Sequence, residues 1–340
     1  MIYAFGDNEW GQLGLGHKGK AVLIPTPVMK GWQAATDIWA TASHTVASLP
    51  HGLEFVGSNR YGSSAVDKAE HSSPIPFGLK NVRLIALGGS HGVALTAEGV
   101  RTWGGNLRGQ LGVGSSSQGH EKLAMPGCTA EPQTPNLPPT VTGLWAGQMT
   151  VFALCNSGLW AWGWNEYGAC GTGGKGGEVT VPMPVLMPEH HGEIAEVACG
   201  EHHTVIRLTD GRLVGMGQGR QGQLGPHTPA IPLPSLLNGV SDIVEVRAGR
   251  DRTVLRSSNG KVTEWGNEQP PTTRVAAGAS SISCGGTHSL AVVDGEVWSW
   301  GNNERGQVGD GTREPRVAPV PIDLQASRVI TGDYHSIAIQ

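Results

Sequence analysis

"WGGNLRGQLG", residues 103–112, is rich in glycine, carries one tryptophan and has little helix-forming character. Read alone, it is either a ligand-binding loop or one copy of a structural element. The rest of the chain decides between them. "FGDNEWGQLG" stands at 5–14, "WGWNEYGACG" at 162–171, "MGQGRQGQLG" at 216–225 and "WGNNERGQVG" at 300–309. Weaker copies are "VGSNRYGSSA" at 56–65 and the stub "WGNEQPPTT" at 265–273. A decamer that recurs around the whole chain is architecture before it is a site.

A second element accompanies it. Gly-x-x-His-Thr/Ser followed by alternating apolar residues occurs as "ASHTVASL" (42–49), "GGSHGVAL" (88–95), "GEHHTVIRL" (200–208), "GGTHSLAVV" (285–293) and "GDYHSIAI" (332–339). "GQMTVFAL" (147–154) and "GRDRTVL" (249–255) keep the pattern without the histidine. Within the chain the histidine position lies 13 or 14 residues before the next Trp-Gly glycine. That interval fits a strand, a tight turn and a strand. "HTVIRLTDGRLVGMG" (203–217) shows two alternating runs around Asp210-Gly211, a strong hairpin signal. Pro-x-Pro recurs before short apolar runs, as in "IPTPV" and "VPMPV". Proline there suits an edge strand, not a central one.

Each unit therefore holds about four short strands. Successive Trp-Gly glycines are 51, 47, 59, 54, 49 and 35 residues apart, and 45 separate Gly301 from Gly6 through the termini. The chain behaves as a circle cut once. The predicted fold is all-β: a seven-bladed β-propeller, one domain over 1–340, closed by pairing its C-terminal strand with its N-terminal strand. Blade 6 is short and expected to have short or missing outer strands. Blade 3 carries an insertion at 114–139. Trp103, Trp162, Trp265 and Trp300 are expected to fill the space between blades. His44, His91, His203, His288 and His335 are expected to be buried ties that hydrogen-bond backbone in a neighbouring loop.

Composition agrees. Glycine is 52 of 340 residues and charged residues are 15%, a balance that favours tight turns over helices. The net charge of −4 gives no broad basic face, so no direct nucleic-acid partner is expected. A basic run at 247–261 reads as a solvated face. No apolar run approaches the ~18 residues that span a bilayer, so no membrane partner is expected. Five cysteines without a Cys-x-x-Cys pair suit reduced thiols in a cytoplasmic or nuclear protein.

At both repeat elements the sequence resembles the regulator-of-chromosome-condensation repeat family. The Trp-Gly-x-Asn-x-x-Gly-Gln-Leu-Gly loop and the Gly-x-x-His-Thr turn match it in register over essentially the whole chain. The resemblance implies the same propeller. It says less about function, because propellers host many functions.

Other motifs carry little chemistry. "GLGHKG" (14–19) and "GQGRQG" (217–222) satisfy Gly-x-Gly-x-x-Gly but open no helix in a βαβ unit. "GTGGKGG" (171–177) lacks the Lys-Ser/Thr ending of a phosphate loop. "EHHGEIAEVACGEHH" (189–203) clusters His190, His191, Cys199, His202 and His203. His203 belongs to the repeat and Cys199 to a predicted strand, so no metal site is assigned. No cofactor and no catalytic residue is predicted.

Pseudo-symmetry places the two variable residues of every Gly-x-x-His turn on one face. They include Gln148, Met149, Glu201, His202, Arg250, Asp251, Asp333 and Tyr334. Charges of both signs with an aromatic anchor suit a protein interface. In relatives that act on a small GTPase, the resemblance implies that the partner sits here. The plant UV-B photoreceptor type requires tryptophan just before the repeat histidine. This chain has Ser43, Ser90, Met149, His202, Asp251, Thr287 and Tyr334 there, so that reading is set aside.

Two readings compete. Ring size and the opening "MIYAFGDNEWGQLGLGH" resemble the small fungal alpha-tubulin suppressor or killer-toxin-insensitivity branch of the family. That branch implies a non-enzymatic adaptor, monomeric alone. Its partner is a small CSL-type zinc-finger electron carrier, in diphthamide synthesis and Elongator-dependent modification of tRNA wobble uridines. The alternative is a guanine-nucleotide exchange factor for a nuclear-transport-type GTPase. Chromatin-tied members usually carry a basic N-terminal tail, and this chain starts inside its first strand. The adaptor reading ranks first on that ground.

Overall fold

The alternating runs do become strands. The computed structural model describes residues 1–66, 70–114, 128–226 and 228–340. Its strands form seven four-stranded antiparallel sheets, the blades. Blades are numbered here by the Trp-Gly element each carries. Blade 1 runs outward from Arg328–Thr331 through His335–Ile339 and Ile2–Asn8 to Gly19–Pro27. It closes the ring in the expected way: Ile2 pairs Ile339 and Gly6 pairs His335. Blades 2 to 7 follow in chain order. Their inner strands are Asp37–Ala40, Leu84–Leu87, Val141–Ala146, Ile194–Cys199, Ile243–Ala248 and Ala279–Cys284. Pro25, Pro27, Pro182, Pro184, Pro232 and Pro234 all lie on outer strands, where a missing N–H leaves no ladder bond unmade. One 3-10 turn, Lys30–Ala34, joins blades 1 and 2.

The decamer is a clasp. Its asparagine accepts the N–H five residues on: Asn106 from Leu111 at 3.0 Å, Asn165 from Cys170 at 3.0 Å, Asn303 from Val308 at 2.9 Å. Its glutamine accepts the N–H two residues back: Gln12 from Trp10 at 2.9 Å, Gln110 from Arg108 at 2.7 Å, Gln307 from Arg305 at 2.9 Å. Backbone donors that no ladder can satisfy thus have fixed partners. The Trp-Gly glycine is needed for itself. Gly57 sits at φ +110°, and a Cβ there would stand 2.5 Å from the Ser43 carbonyl oxygen.

Blades are tied to each other through that clasp in two interchangeable ways. In blades 1, 2, 5 and 6 a hydroxyl next to the histidine position donates to the preceding blade's loop. Ser336 reaches the Gln307 carbonyl at 2.8 Å, Thr45 the Gln12 carbonyl at 2.7 Å, Thr204 the Ala169 carbonyl at 2.9 Å and Thr253 the Gln223 carbonyl at 2.7 Å. In blades 3 and 4 that position is Gly92 or Val151, and an indole takes over. Trp103 Nε1 donates to the Ser63 carbonyl and Trp162 Nε1 to the Gln110 carbonyl, both at 2.9 Å. Gly92 is required for this, since a Cβ would lie 2.2 Å from the Trp103 ring.

The histidines complete the relay. His335, His203 and His288 meet the hydroxyls of Thr45, Thr253 and Ser336 in the next blade at 3.0, 2.9 and 2.8 Å. The hydroxyl carries the tie on to loop backbone, and His203 and His288 also meet the backbone of Arg252 and Asp333 in the next blade. Where the next blade offers Gly92 or Val151, the ring meets no hydroxyl there. Among the described residues, His44 Nε2 has no hydrogen-bond partner, and His91 has the Thr150 backbone in place of a hydroxyl.

Blade 6 departs from expectation. Its outer strand Gln269–Val275 is as long as most others. The missing residues are those of the clasp, replaced by a two-residue turn at Asn267 and Glu268, both with positive φ, the geometry of a tight hairpin. Residues 128–133 of the expected 114–139 insertion are the outer strand of blade 3, Cys128–Gln133. Residues 115–127 lie outside the described residues. The basic run at 247–261 is not a solvated face either. Arg252 is buried against Glu264, and Arg247 and Arg256 pair with Glu245.

Candidate protein-docking face

The strand order puts the Gly-x-x-His turns of all blades, and the clasps of all but blade 6, at the same end. The inner turns crowd the central channel. Its neck, about 100 Å³, is walled by Ala, Leu, Gly, Cys and Thr of the seven inner strand ends. Backbone bonds step round it from blade to blade: Gly89 N–H to the Gln148 carbonyl at 3.2 Å, Asp333 N–H to the Thr41 carbonyl at 3.1 Å.

Four of the predicted site residues converge over this neck. Gln148 of blade 4 donates across the channel to Asp333 of blade 1 at 2.8 Å. Arg250 of blade 6 pairs with Glu201 of blade 5 at 3.0 Å. Burial pushes the Asp333 carboxyl above the usual carboxylate range, Arg250 and the Gln148 bond pull it back, and Glu201 adds to the rise. Burial opposes the Arg250 charge, but Glu201, Tyr334 and Asp333 more than offset it and raise its pKa. Arg250 and Asp333 are thus coupled groups of a plug, not free turn residues.

Tyr334 joins them through a side-chain bond to Arg250, and the remaining predicted residues lie further out. Met149 lines a groove beside the mouth. His202 packs edge-on against Trp164 at 4.3 Å between centroids, and against Tyr167 at 5.3 Å. No side-chain contact of Asp251 brings it into the plug. The five residues of 189–203 noted above are dispersed. Cys199 lines the neck, His202 faces Trp164, His203 is buried in its blade, and exposed His190 and half-buried His191 lie on the connection between blades 4 and 5.

A second set of surface residues escaped the sequence reading. The clasp holds its two free positions outward, between Asn and Gly. They include Trp10, Arg60, Tyr61, Leu107, Arg108 and Tyr167. Arg60 lies over the Trp10 ring at 5.1 Å, and Arg108 over Trp164 at 5.0 Å. Together with His202 they form an aromatic and cationic arc around the mouth across blades 1 to 5. The signal was present in the sequence. These positions vary, and toward large side chains, inside a decamer whose other positions repeat.

The opposite mouth is wider, about 510 Å³. One wall is an ion-pair chain in which Arg207 meets Glu196 at 3.4 Å, Glu196 meets Arg247, Arg247 meets Glu245 at 3.0 Å and Glu245 meets Arg256 at 2.7 Å. Its charges are mutually satisfied.

Comparison with known proteins follows the same lines. Two models of the regulator of chromosome condensation (RCC1) repeat match, one at residues 1–48, 156–207 and 294–339, the other at 82–110, 194–223 and 279–307. The chain is 31% identical over 364 residues to the secretion-regulating guanine nucleotide exchange factor of Bos taurus, covering 99% of this chain and 71% of that one. It is 28% identical over 372 residues to the ultraviolet-B receptor UVR8 of Arabidopsis thaliana, covering 98% and 80%. Human WBSCR16 superposes with a TM-score of 0.86 at 19% identity, covering 99% and 98%.

Proposed function

The chain belongs to the regulator of chromosome condensation (RCC1) repeat family, and on that premise we propose that it is a protein-binding propeller of the cytoplasm or nucleus whose clasp face docks a small GTPase and promotes nucleotide release. The observation that carries this reading is the arc of Trp10, Arg60, Arg108, Trp164, Tyr167 and His202 around a plugged channel. Rigid aromatics and arginines on fixed loops are the residues that concentrate binding energy at interfaces. A relative that is an exchange factor and spans nearly this whole chain supports the GTPase as partner class. Exchange of this kind is differential binding: a partner held in its nucleotide-free shape releases its nucleotide. The adaptor reading, with a CSL-type zinc-finger electron carrier as partner, uses the same face without any nucleotide. It has the resemblance of the opening strand behind it and no relative among those compared above.

The test is release of a fluorescent GDP analogue from a panel of purified small GTPases. Acceleration of one of them, lost in Trp164→Ala, is the expected result. No acceleration of any, with a metal-binding electron carrier recovered instead, would favour the adaptor.

A further inference from the structure

Beside the channel mouth, the docking face dips into a groove of about 330 Å³. Trp10, Tyr61, Leu107 and Met149 form its apolar walls, and the side chains of Ser43 and Ser90 lie along it. Leu107 is 49% exposed, on a clasp fixed by the Leu111 N–H bond to Asn106. Arg60 stands at the rim with its guanidinium over Trp10. The neighbouring cations of the face are committed: Arg250 to Glu201, Arg108 to Glu178 and Arg305 to Asp7 and Glu9. Arg60 has no carboxylate partner among the described residues. A guanidinium held over an indole face keeps its N–H fork available to a carboxylate, and the adjoining apolar walls lower the local dielectric and so strengthen such a bond.

We infer that this groove binds an extended segment of a protein partner carrying a bulky apolar side chain with a carboxylate one or two residues away. The apolar side chain enters between Trp10, Tyr61, Leu107 and Met149, and the carboxylate meets Arg60. Met149 adapts its shape to the entering group, and the serines supply hydroxyls to the segment's backbone. This inference rests on the clasp face being the docking face and adds the charge and shape of what docks there.

Two fluorescein-labelled peptides test it by polarisation: Gly-Ser-Gly-Phe-Asp-Glu-Gly-Ser, and the same peptide with Lys-Lys for Asp-Glu. The acidic peptide is expected to bind at least about tenfold tighter, a 1.4 kcal/mol preference. Arg60→Glu should invert that preference, and Leu107→Asp should weaken both peptides by about tenfold or more. Both positions are exposed, and a melting curve checks that each variant folds. Equal or absent binding of the two peptides, or an Arg60→Glu protein with wild-type preference, overturns the groove. A protein partner lost on Trp164→Ala but retained by Arg60→Glu leaves the docking face standing and removes the groove. A partner retained by both removes the face itself.

Discussion

The indole Nε1 of Trp300 in blade 7 lies 2.5 Å from a carboxylate oxygen of Glu264 in blade 6. In blades 3 and 4 the equivalent indole donates to a clasp carbonyl of the preceding blade. Blade 6 has no clasp, so Glu264 supplies the acceptor. Its charge is balanced by Arg274 at 2.9 Å and by Arg252 at 3.4 Å. Arg252 occupies the position where the repeat has histidine. The three departures of blade 6, namely the lost clasp, the arginine and the glutamate, are therefore one substitution. Removing Glu264 strands a buried arginine, and Glu264→Ala should cost about 3–5 kcal/mol. Trp300→Phe keeps the packing and loses one bond, for about 1–2 kcal/mol. Urea titration of both variants compares them. Equal losses would contradict the assignment.

Trp162 both fills the space between blades 3 and 4 and closes the Gln110 carbonyl. Trp162→Ala should lose about 3–5 kcal/mol. Trp162→Phe should lose less, chiefly the cost of an orphaned carbonyl, about 1–3 kcal/mol. Denaturant midpoints separate the two contributions.

Thr253 is one link in a relay from His203 to the Gln223 carbonyl. Thr253→Val removes the donor and leaves two buried groups unpaired, so a loss of about 2 kcal/mol or more is expected. Thr253→Ser should stay near wild type. If valine and serine behave alike in thermal unfolding, the relay does not contribute to stability.

Acid should unfold the ring early. Burial, aided by neighbouring positive groups, pulls His44, His203 and His288 from 6.5 to about 3, and burial pulls His91 and His335 to about 4. Above pH 6.5 these rings are neutral in both states and take nothing from stability. Below it the unfolded chain binds protons that the folded rings refuse. Stability then falls by about 1.4 kcal/mol per pH unit for each ring, until the pH nears the folded value. His203→Gln should remove one ring's share of the slope between pH 6 and 4.5, measured by urea midpoints. An unchanged slope would show that His203 is accessible to protons in the native ring.

Arg250 illustrates where turn chemistry misleads. Sequence alone makes it an exposed, variable turn residue. In the structure it offsets a buried carboxyl, so Arg250→Ala should cost about 1–2 kcal/mol at pH 7. Burial already holds Asp333 above its unfolded value, and losing Arg250 raises it further. The carboxyl's contribution thus declines as pH rises through that raised folded value. The deficit of the variant should widen as pH rises above the folded value of Asp333 in the wild type and vanish below it. A deficit that does not vary with pH would uncouple the two residues.

The fold was legible because its signals are local and repeated: Asp-Gly turns between alternating runs, proline at outer edges, and one glycine per blade that only a positive φ explains. Ring closure followed from counting. What escaped depends on contacts between blades. That Gly92 makes room for Trp103, or that Glu264 replaces a missing loop, is visible only once blades are neighbours. The candidate face was half legible. Pseudo-symmetry put Gln148, Glu201, Arg250 and Asp333 on one end of the ring. It could not show that the channel's narrowness makes them bond to one another across the opening, nor that Trp10, Arg60 and Arg108 stand beside them.

The claim on which all of this turns is that partners dock on the clasp face. The direct measurement is native capture from extract with three proteins in parallel, quantified by mass spectrometry: wild type, Trp164→Ala with Tyr167→Ala on the clasp face, and Arg328→Ala at the opposite mouth. A small GTPase held by wild type and Arg328→Ala, and lost from the clasp-face variant, is the predicted result. A partner that survives the clasp-face changes and is lost with Arg328→Ala would place docking on the other side of the ring and contradict it.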